Sequence, residues 1–304
     1  MEQNLITQLT AEAAGLIRKH YVFPDIGEQV ARVLETADYG QATGPEDLGS
    51  RVTADLQSIN GDKHLRLKFH AEELPDLPSE ELMWNQLQRE AARDLDGIAR
   101  LERLDGGIAL LELGPLLFPP PLTGAAVCAA MNLVAGARAL ILDLRNTLGG
   151  SPTAVALICS YLFGDEPVHI NDCYDRSTDR ISQFWTQPFV PGPKFGGDKP
   201  LWVLTSGRTF SGGEELAYDL QQLGRAVIAG ERTGGGAHPR IGIRVHPHLE
   251  LTVPTGRSIN PVSGTNWEGT GVVPDVEVAA ADAEELAKTR LREELSQGAE
   301  AGTP

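Results

Sequence analysis

Three short apolar runs constrain this chain most: ALILDLR (139–145), LWVLTS (201–206) and RAVIAG (225–230). Each is too short to be a long buried helix, and each lies among segments with helical spacing. A strand that is apolar on nearly every residue must be covered on both faces, as in a parallel sheet between helices. The spacing predicts covering helices over 123–136 and 152–163 and in SGGEELAYDLQQLG (211–224), with an acidic helix closing the chain near 281–296. Strand, turn, helix, strand is the order of an α/β layer fold.

The remainder is organised around that core. Residues 1–60 read as helices, with Ile26, Val30, Val33 and Leu34 on one face and Leu48, Val52, Leu56 and Ile59 on another. Phe23-Pro24 and Thr43-Gly44-Pro45 mark the breaks between them. Asn60-Gly61-Asp62-Lys63-His64 turns into a strand with alternating Leu65, Leu67 and Phe69. Pro75 and Pro78 precede an acidic helical stretch, and IARLERL and GIALLEL follow as strands around Asp105-Gly106-Gly107. LFPPPL (117–122) reads as a rigid loop, and 171–200 as one long loop of the kind that usually serves function. The expected division is 1–62, a helical unit; 63–285, the α/β core; and 286–304, a helix end and tail.

Composition narrows the function. Among 304 residues, 26 basic and 42 acidic side chains leave a formal charge of −16. Nucleic acid and anionic membrane surfaces require concentrated Lys and Arg, so both are poor partners for this chain. Cys128, Cys159 and Cys173 form no CxxC pair, and free thiols are expected. The first twenty residues show no basic start followed by an apolar stretch, and no run reaches the ~18 apolar residues of a membrane span. A cytoplasmic location is the default expectation.

The sharpest local feature is Thr205-Ser-Gly-Arg-Thr-Phe-Ser-Gly-Gly-Glu-Glu215. A buried strand stops, a turn follows, and a helix begins at Ser211, beside unpaired N–H groups and the positive end of the helix dipole. Such a serine is either an ordinary helix cap or a group placed for oxyanion chemistry. DLRNTLGG (143–150) ends another buried strand in a double glycine. Its Asp143 and Arg145 suit a structural ion pair, and its glycines suit either a tight connection or an anion-binding turn. No GxGxxG or GxxxxGK[ST] pattern supports nucleotide binding. His246 and His248 share one strand face near His238, a spacing that fits a paired or exposed duo better than a metal site. No cofactor is expected.

In order, DLRNTLGG, TSGRTFSGGEELAYDL, GERTGGGAHP and NPVSGTNWEGTGVVPDVEV resemble the C-terminal-processing (tail-specific) serine peptidase superfamily. The likeness is greatest to the branch of interphotoreceptor retinoid-binding protein modules and to tricorn-type cores. The resemblance implies a crotonase- or ClpP-like α/β core, with a mixed sheet flanked by helices, and makes Ser211 the nucleophile. Better-known members use a lysine base after the following strand, where this chain has Gly236; after Ser211 its one lysine is Lys288. The tricorn-type solution, a histidine from the N-terminal part oriented by a later glutamate, has its counterparts in His64 and Glu268. Gly212 with Gly149 or Gly150 would supply the oxyanion N–H groups. Thr147 stands where the family pattern has asparagine.

The resemblance therefore implies a serine hydrolase acting on peptide bonds of peptides or unfolded polypeptide through an acyl-enzyme. Its rival is a non-catalytic carrier of hydrophobic ligands such as retinoids or fatty acids, since a fold can outlive its chemistry. No PDZ domain is evident between helical unit and core.

Overall fold

The computed structural model describes residues 2–75 and 80–301. Pro78 and the end of the tail, 302–304, lie outside the described residues. The chain divides into two compact units that do not follow chain order. The first gathers 1–83, 173–182 and 236–259; the second gathers 84–172, 183–235 and 260–304.

The first unit packs three helices on a small antiparallel sheet. These are α1 (Gln3–His20), α2 (Pro24–Thr36) and α3 (Pro45–Leu56), the latter two opening with proline at the first helical position. Proline is accommodated there because that N–H would have no intrahelical acceptor. Strand Leu249–Pro254 is central, between Arg66–Phe69 and Arg240–His246. Ile6, Leu9 and Ile17 of α1, Val30 and Leu34 of α2, and Leu48, Val52 and Leu56 of α3 form one core with Leu67, Leu249, Leu251 and Val253. A Cβ on Gly49 would lie 2.8 Å from the Leu67 carbonyl oxygen, so this glycine lets α3 sit directly on the sheet. Ile59 falls beyond the end of α3 and is exposed, which corrects its place on the expected apolar face.

After α4 (Glu80–Arg93), the second unit is built on a six-stranded mixed sheet. Its order is Val276–Glu277, Val227–Gly230, Leu201–Thr205, Ala139–Asp143, Ile108–Leu113, Ile98–Arg103. All neighbours are parallel except the last, which pairs antiparallel with Ile108–Leu113. The three apolar runs are thus adjacent parallel strands. Ile108, Leu110, Ile141, Leu204 and Ala229 face Ala283, Ala287 and Leu291 of the closing helix, while Leu111, Leu140, Leu142, Val203 and Ile228 fill the opposite face.

Helices α5 (Pro120–Val134), α6 (Pro152–Leu162), α7 (Gly212–Gln222) and α8 (Ala283–Ala301) complete the unit. Two expectations need correction. The helix expected from 123 begins at Pro120, because Pro120 and Pro121 occupy its first turn, where no N–H is needed. The loop expected over 171–200 instead opens with strands His169–Asp175 and Arg180–Trp185. The second of these is exposed along most of its length and carries no apolar alternation to announce it. Among the described residues no helix is long and apolar enough to cross a membrane.

Candidate active site

In the second unit, two loops leave the carboxyl ends of neighbouring parallel strands and are laced together. Thr209 Oγ1 donates to the Leu144 carbonyl (2.9 Å), Ser206 Oγ to that of Arg145 (2.6 Å), and the Phe210 N–H to that of Thr147 (3.0 Å). Thr147 is fully buried, and its hydroxyl donates to the Leu113 carbonyl at 2.6 Å. In this way threonine fixes the turn where the family pattern has asparagine. Arg145 is committed to Asp143, to the Ala280 carbonyl and to Glu284, so the Asp-Leu-Arg segment is scaffolding.

Ser211 stands at the N-cap of α7 with φ 51° and ψ −119°. An ordinary capping serine has extended backbone. A non-glycine residue held at positive φ costs roughly 1–3 kcal/mol and persists only where its surroundings impose it. Those surroundings are glycine. A Cβ on Gly212 would meet the Gly150 nitrogen at 2.7 Å, and one on Gly213 the Thr147 carbonyl oxygen at 2.8 Å. Gly149, at φ 154°, would bring a Cβ within 3.5 Å of the Ser211 Cβ and 3.9 Å of its Oγ. The start of α7 and the double-glycine turn therefore touch backbone to backbone. The Gly212 N–H, first in the helix, has no intrahelical acceptor.

The capping box adds a residue that sequence reading missed. Glu214 is fully buried and accepts from the Ser211 N–H (2.8 Å), from the Gly235 N–H (2.6 Å) and from the Thr233 hydroxyl. Gly235 in turn accepts from the Gly269 N–H at 3.1 Å, next to Glu268. Glu268 is half-buried, its own N–H donating to Asn266 Oδ1 (2.9 Å), and the adjacent Trp267 ring packs on Tyr218 of α7 at 5.3 Å. One carboxylate thus ties the serine's backbone to the glycine run, which in turn holds the Glu268 turn. Glu214→Ala leaves buried donors without an acceptor, so urea unfolding should show a loss of about 1–3 kcal/mol. Unchanged stability would remove Glu214 from this role.

His64 belongs to the first unit. Its N–H donates to Asp62 Oδ1 (3.0 Å) and its carbonyl accepts from Thr252 Oγ1 (2.6 Å), so the backbone is held on both sides. Asp62, fully buried, also meets the Tyr21 hydroxyl (2.9 Å) and His238 Nδ1 (2.7 Å). Burial works against the Asp62 charge, but His238, Tyr21 and the His64 N–H outweigh it and hold the carboxyl below its ordinary value. His64 is 8% exposed. Burial pushes its pKa down to about 4, with Asp62 opposing and Arg240 and His238 adding to the fall. The imidazole is therefore neutral at physiological pH. His246 and His248 lie apart from this cluster, with His248 Nδ1 on the His70 carbonyl and His246 Nδ1 accepting the His248 N–H.

Of the residues singled out in the sequence, Ser211, Gly212, Gly149 and Gly150 stand together, and Glu268 is tied to the same unit through Gly235. His64 belongs to the first unit, where Asp62 and Thr252 hold its backbone. Tyr21, Asp62 and His238 are far apart in sequence, so no spacing announces their association.

The family model of peptidase family S41 matches residues 122–278, just over half of the chain, and that of the N-terminal domain of peptidase S41 in eukaryotic IRBP matches residues 3–94. The chain belongs to peptidase family S41. Its fold is similar to that of the tricorn protease, with 15% identity and a TM-score of 0.60 over 97% of this chain and 37% of that one. It is also similar to a lipoprotein from Streptococcus agalactiae, with 15% identity and a TM-score of 0.57 over 95% and 96% of the two chains. The photosystem II D1 C-terminal processing protease aligns at 17% identity and a TM-score of 0.55, over 90% and 93%. The α/β core with helices on its mixed sheet is the S41 peptidase fold.

Proposed function

We propose that this S41 chain is a serine peptidase in which Ser211 is the nucleophile, His64 the general base and Glu268 the carboxylate that orients it. The observation carrying this reading is the positive φ of Ser211 at the N-terminus of α7. Strain of that kind is out of place in a mere cap and apt for a nucleophile presented beside oxyanion donors.

In the proposed reaction the Ser211 hydroxyl oxygen attacks a peptide carbonyl carbon while its proton passes to the neutral His64 ring. The carbonyl oxygen, now negative, is met by the N–H of Gly212 with that of Gly149 or Gly150; one such donor is worth about 2.7–4 kcal/mol in the transition state. Glu268 fixes the imidazole tautomer and offsets the imidazolium charge. His64 then gives the proton to the leaving amine. Water, deprotonated by the same ring, hydrolyses the acyl-serine. The substrate class is extended peptide or unfolded polypeptide.

The test is mass-spectrometric profiling of a peptide mixture incubated with the wild-type protein and with Ser211→Ala. Fragments that appear with the first and vanish with the second are expected. Equal fragments from both would refute the assignment of Ser211. None from either would turn attention to hydrophobic-ligand binding.

A further inference from the structure

Helix α7 carries a second pair of acids behind the serine, and the reaction does not use them. Glu215 and Asp219 are four residues apart, hence on one helix face, and both are buried. Glu215 Oε1 accepts from Asn171 Nδ2 at 3.0 Å, and Asp219 Oδ1 from Asn260 Nδ2 at 3.0 Å. No lysine or arginine pairs with either one among the described residues. Asp219 Oδ2 and Asn171 Oδ1 are buried with no donor. Two amides therefore satisfy one oxygen of each carboxyl and leave acceptors in excess. Two charged carboxylates without a counter-ion in such a place would repel each other across a low-dielectric interior.

We infer that Glu215 and Asp219 hold a proton between them at neutral pH, and that this proton keeps α7 seated in its unit. The missing element of the cluster is a donor, and a carboxylic acid O–H supplies it. The neighbours agree with that assignment. Asn171 comes from strand His169–Asp175 and Asn260 follows strand Gly256–Ile259; Asn260 spends its own carbonyl on the N–H groups of Val262 and Ser263. Cys159 of α6 faces the same acids, and burial with their negative potential holds its thiol well above the usual range. Arg225, whose charge partly offsets this at Cys159, is bound to the carbonyls of Leu162, Lys199 and Gly196. Burial raises Glu215 to about 7, the Asn171 amide pulling the other way, and raises Asp219 as well, with the charge of Glu215 adding to the rise.

The sign of the pH effect follows. A carboxyl whose folded pKa is raised contributes stability fully below its unfolded value and loses it as pH rises through the folded one. The window for Glu215 runs from about 4.5 to about 7. Above it, folding must bury a proton-free pair in a site built for an acid.

The experiment is urea unfolding at closely spaced pH values from 4 to 9 on the full chain, for wild type, Glu215→Gln and Asp219→Asn. Infrared difference spectra and metal analysis of the same samples accompany it. In wild type the unfolding equilibrium should shift toward the unfolded state by up to about tenfold per pH unit between about 4.5 and about 7, where the folded chain keeps a proton that the unfolded chain has lost. Either amide variant should flatten that dependence and be relatively more stable at pH 9. The wild-type spectrum should contain a protonated-carboxyl C=O band at pH 6 that fades by pH 9 and is missing from the variants. If a variant fails to fold, the wild-type band alone decides. No such band, an unchanged pH dependence in the variants, or one stoichiometric cation bound at this pair would overturn the inference.

Discussion

Ser211→Ala is expected to lower kcat/KM by about 10⁴-fold or more while the protein stays folded, because no other group replaces the attacking oxygen. The strain at this position makes a sharper form of the test available. Ser211→Gly removes the Cβ from a residue held at φ 51°, so it should abolish turnover and raise the unfolding free energy by about 1 kcal/mol. A serine that serves only as a cap would behave oppositely: its loss would cost stability and leave activity intact. Steady-state kinetics and urea unfolding on the two variants separate these cases.

The second large effect concerns His64. His64→Ala should cost about as much in kcat as loss of the serine, since nucleophile and base act as one unit. Its burial also sets a pH signature. A triad histidine with an ordinary pKa gives an acid limb in kcat/KM near 6.5; burial places that limb at about 4 here, so activity should persist through mildly acid conditions. Stability should follow the same group. The unfolded histidine takes up a proton below about 6.5, whereas the folded one resists until about 4, so stability is present above that window and is lost as pH falls through it. The loss from His64 amounts to roughly 3 kcal/mol across the window, and His64→Gln should remove it. An acid limb at 6.5 would contradict the buried, neutral imidazole.

The core was legible because its physics is local and repetitive. ALILDLR, LWVLTS and RAVIAG announce buried parallel strands by being apolar without alternation, and all three take that place. Pro24 and Pro45 start helices where the turn chemistry says they should. The strand Arg180–Trp185 was illegible for the opposite reason: most of it faces solvent, so its residues obey no burial pattern. Pro120 and Pro121 suggested a loop because proline is read as a breaker, although a first helical turn tolerates it.

At the site, the position of Ser211 could be read from the sequence but its backbone could not. Gly212 and Gly213 hint at close approach, yet what they approach, Gly150 and Thr147, lies some sixty residues earlier. Glu214 drew no notice in the sequence, yet it ties Ser211 to Thr233 and Gly235. The partners of Asp62 are Tyr21, just past the end of α1, and His238, contacts set only by tertiary packing. Sequence pattern reports what a residue's own element requires, and these groups answer to distant elements.

A fluorophosphonate probe tests most directly whether Ser211 is activated. Wild-type protein and His64→Ala are labelled side by side, and the adduct is mapped by mass spectrometry. One adduct on Ser211 is expected in the wild type and almost none in the His64 variant. An unmodified Ser211 in folded wild-type protein, or equal labelling in both, would contradict that activation.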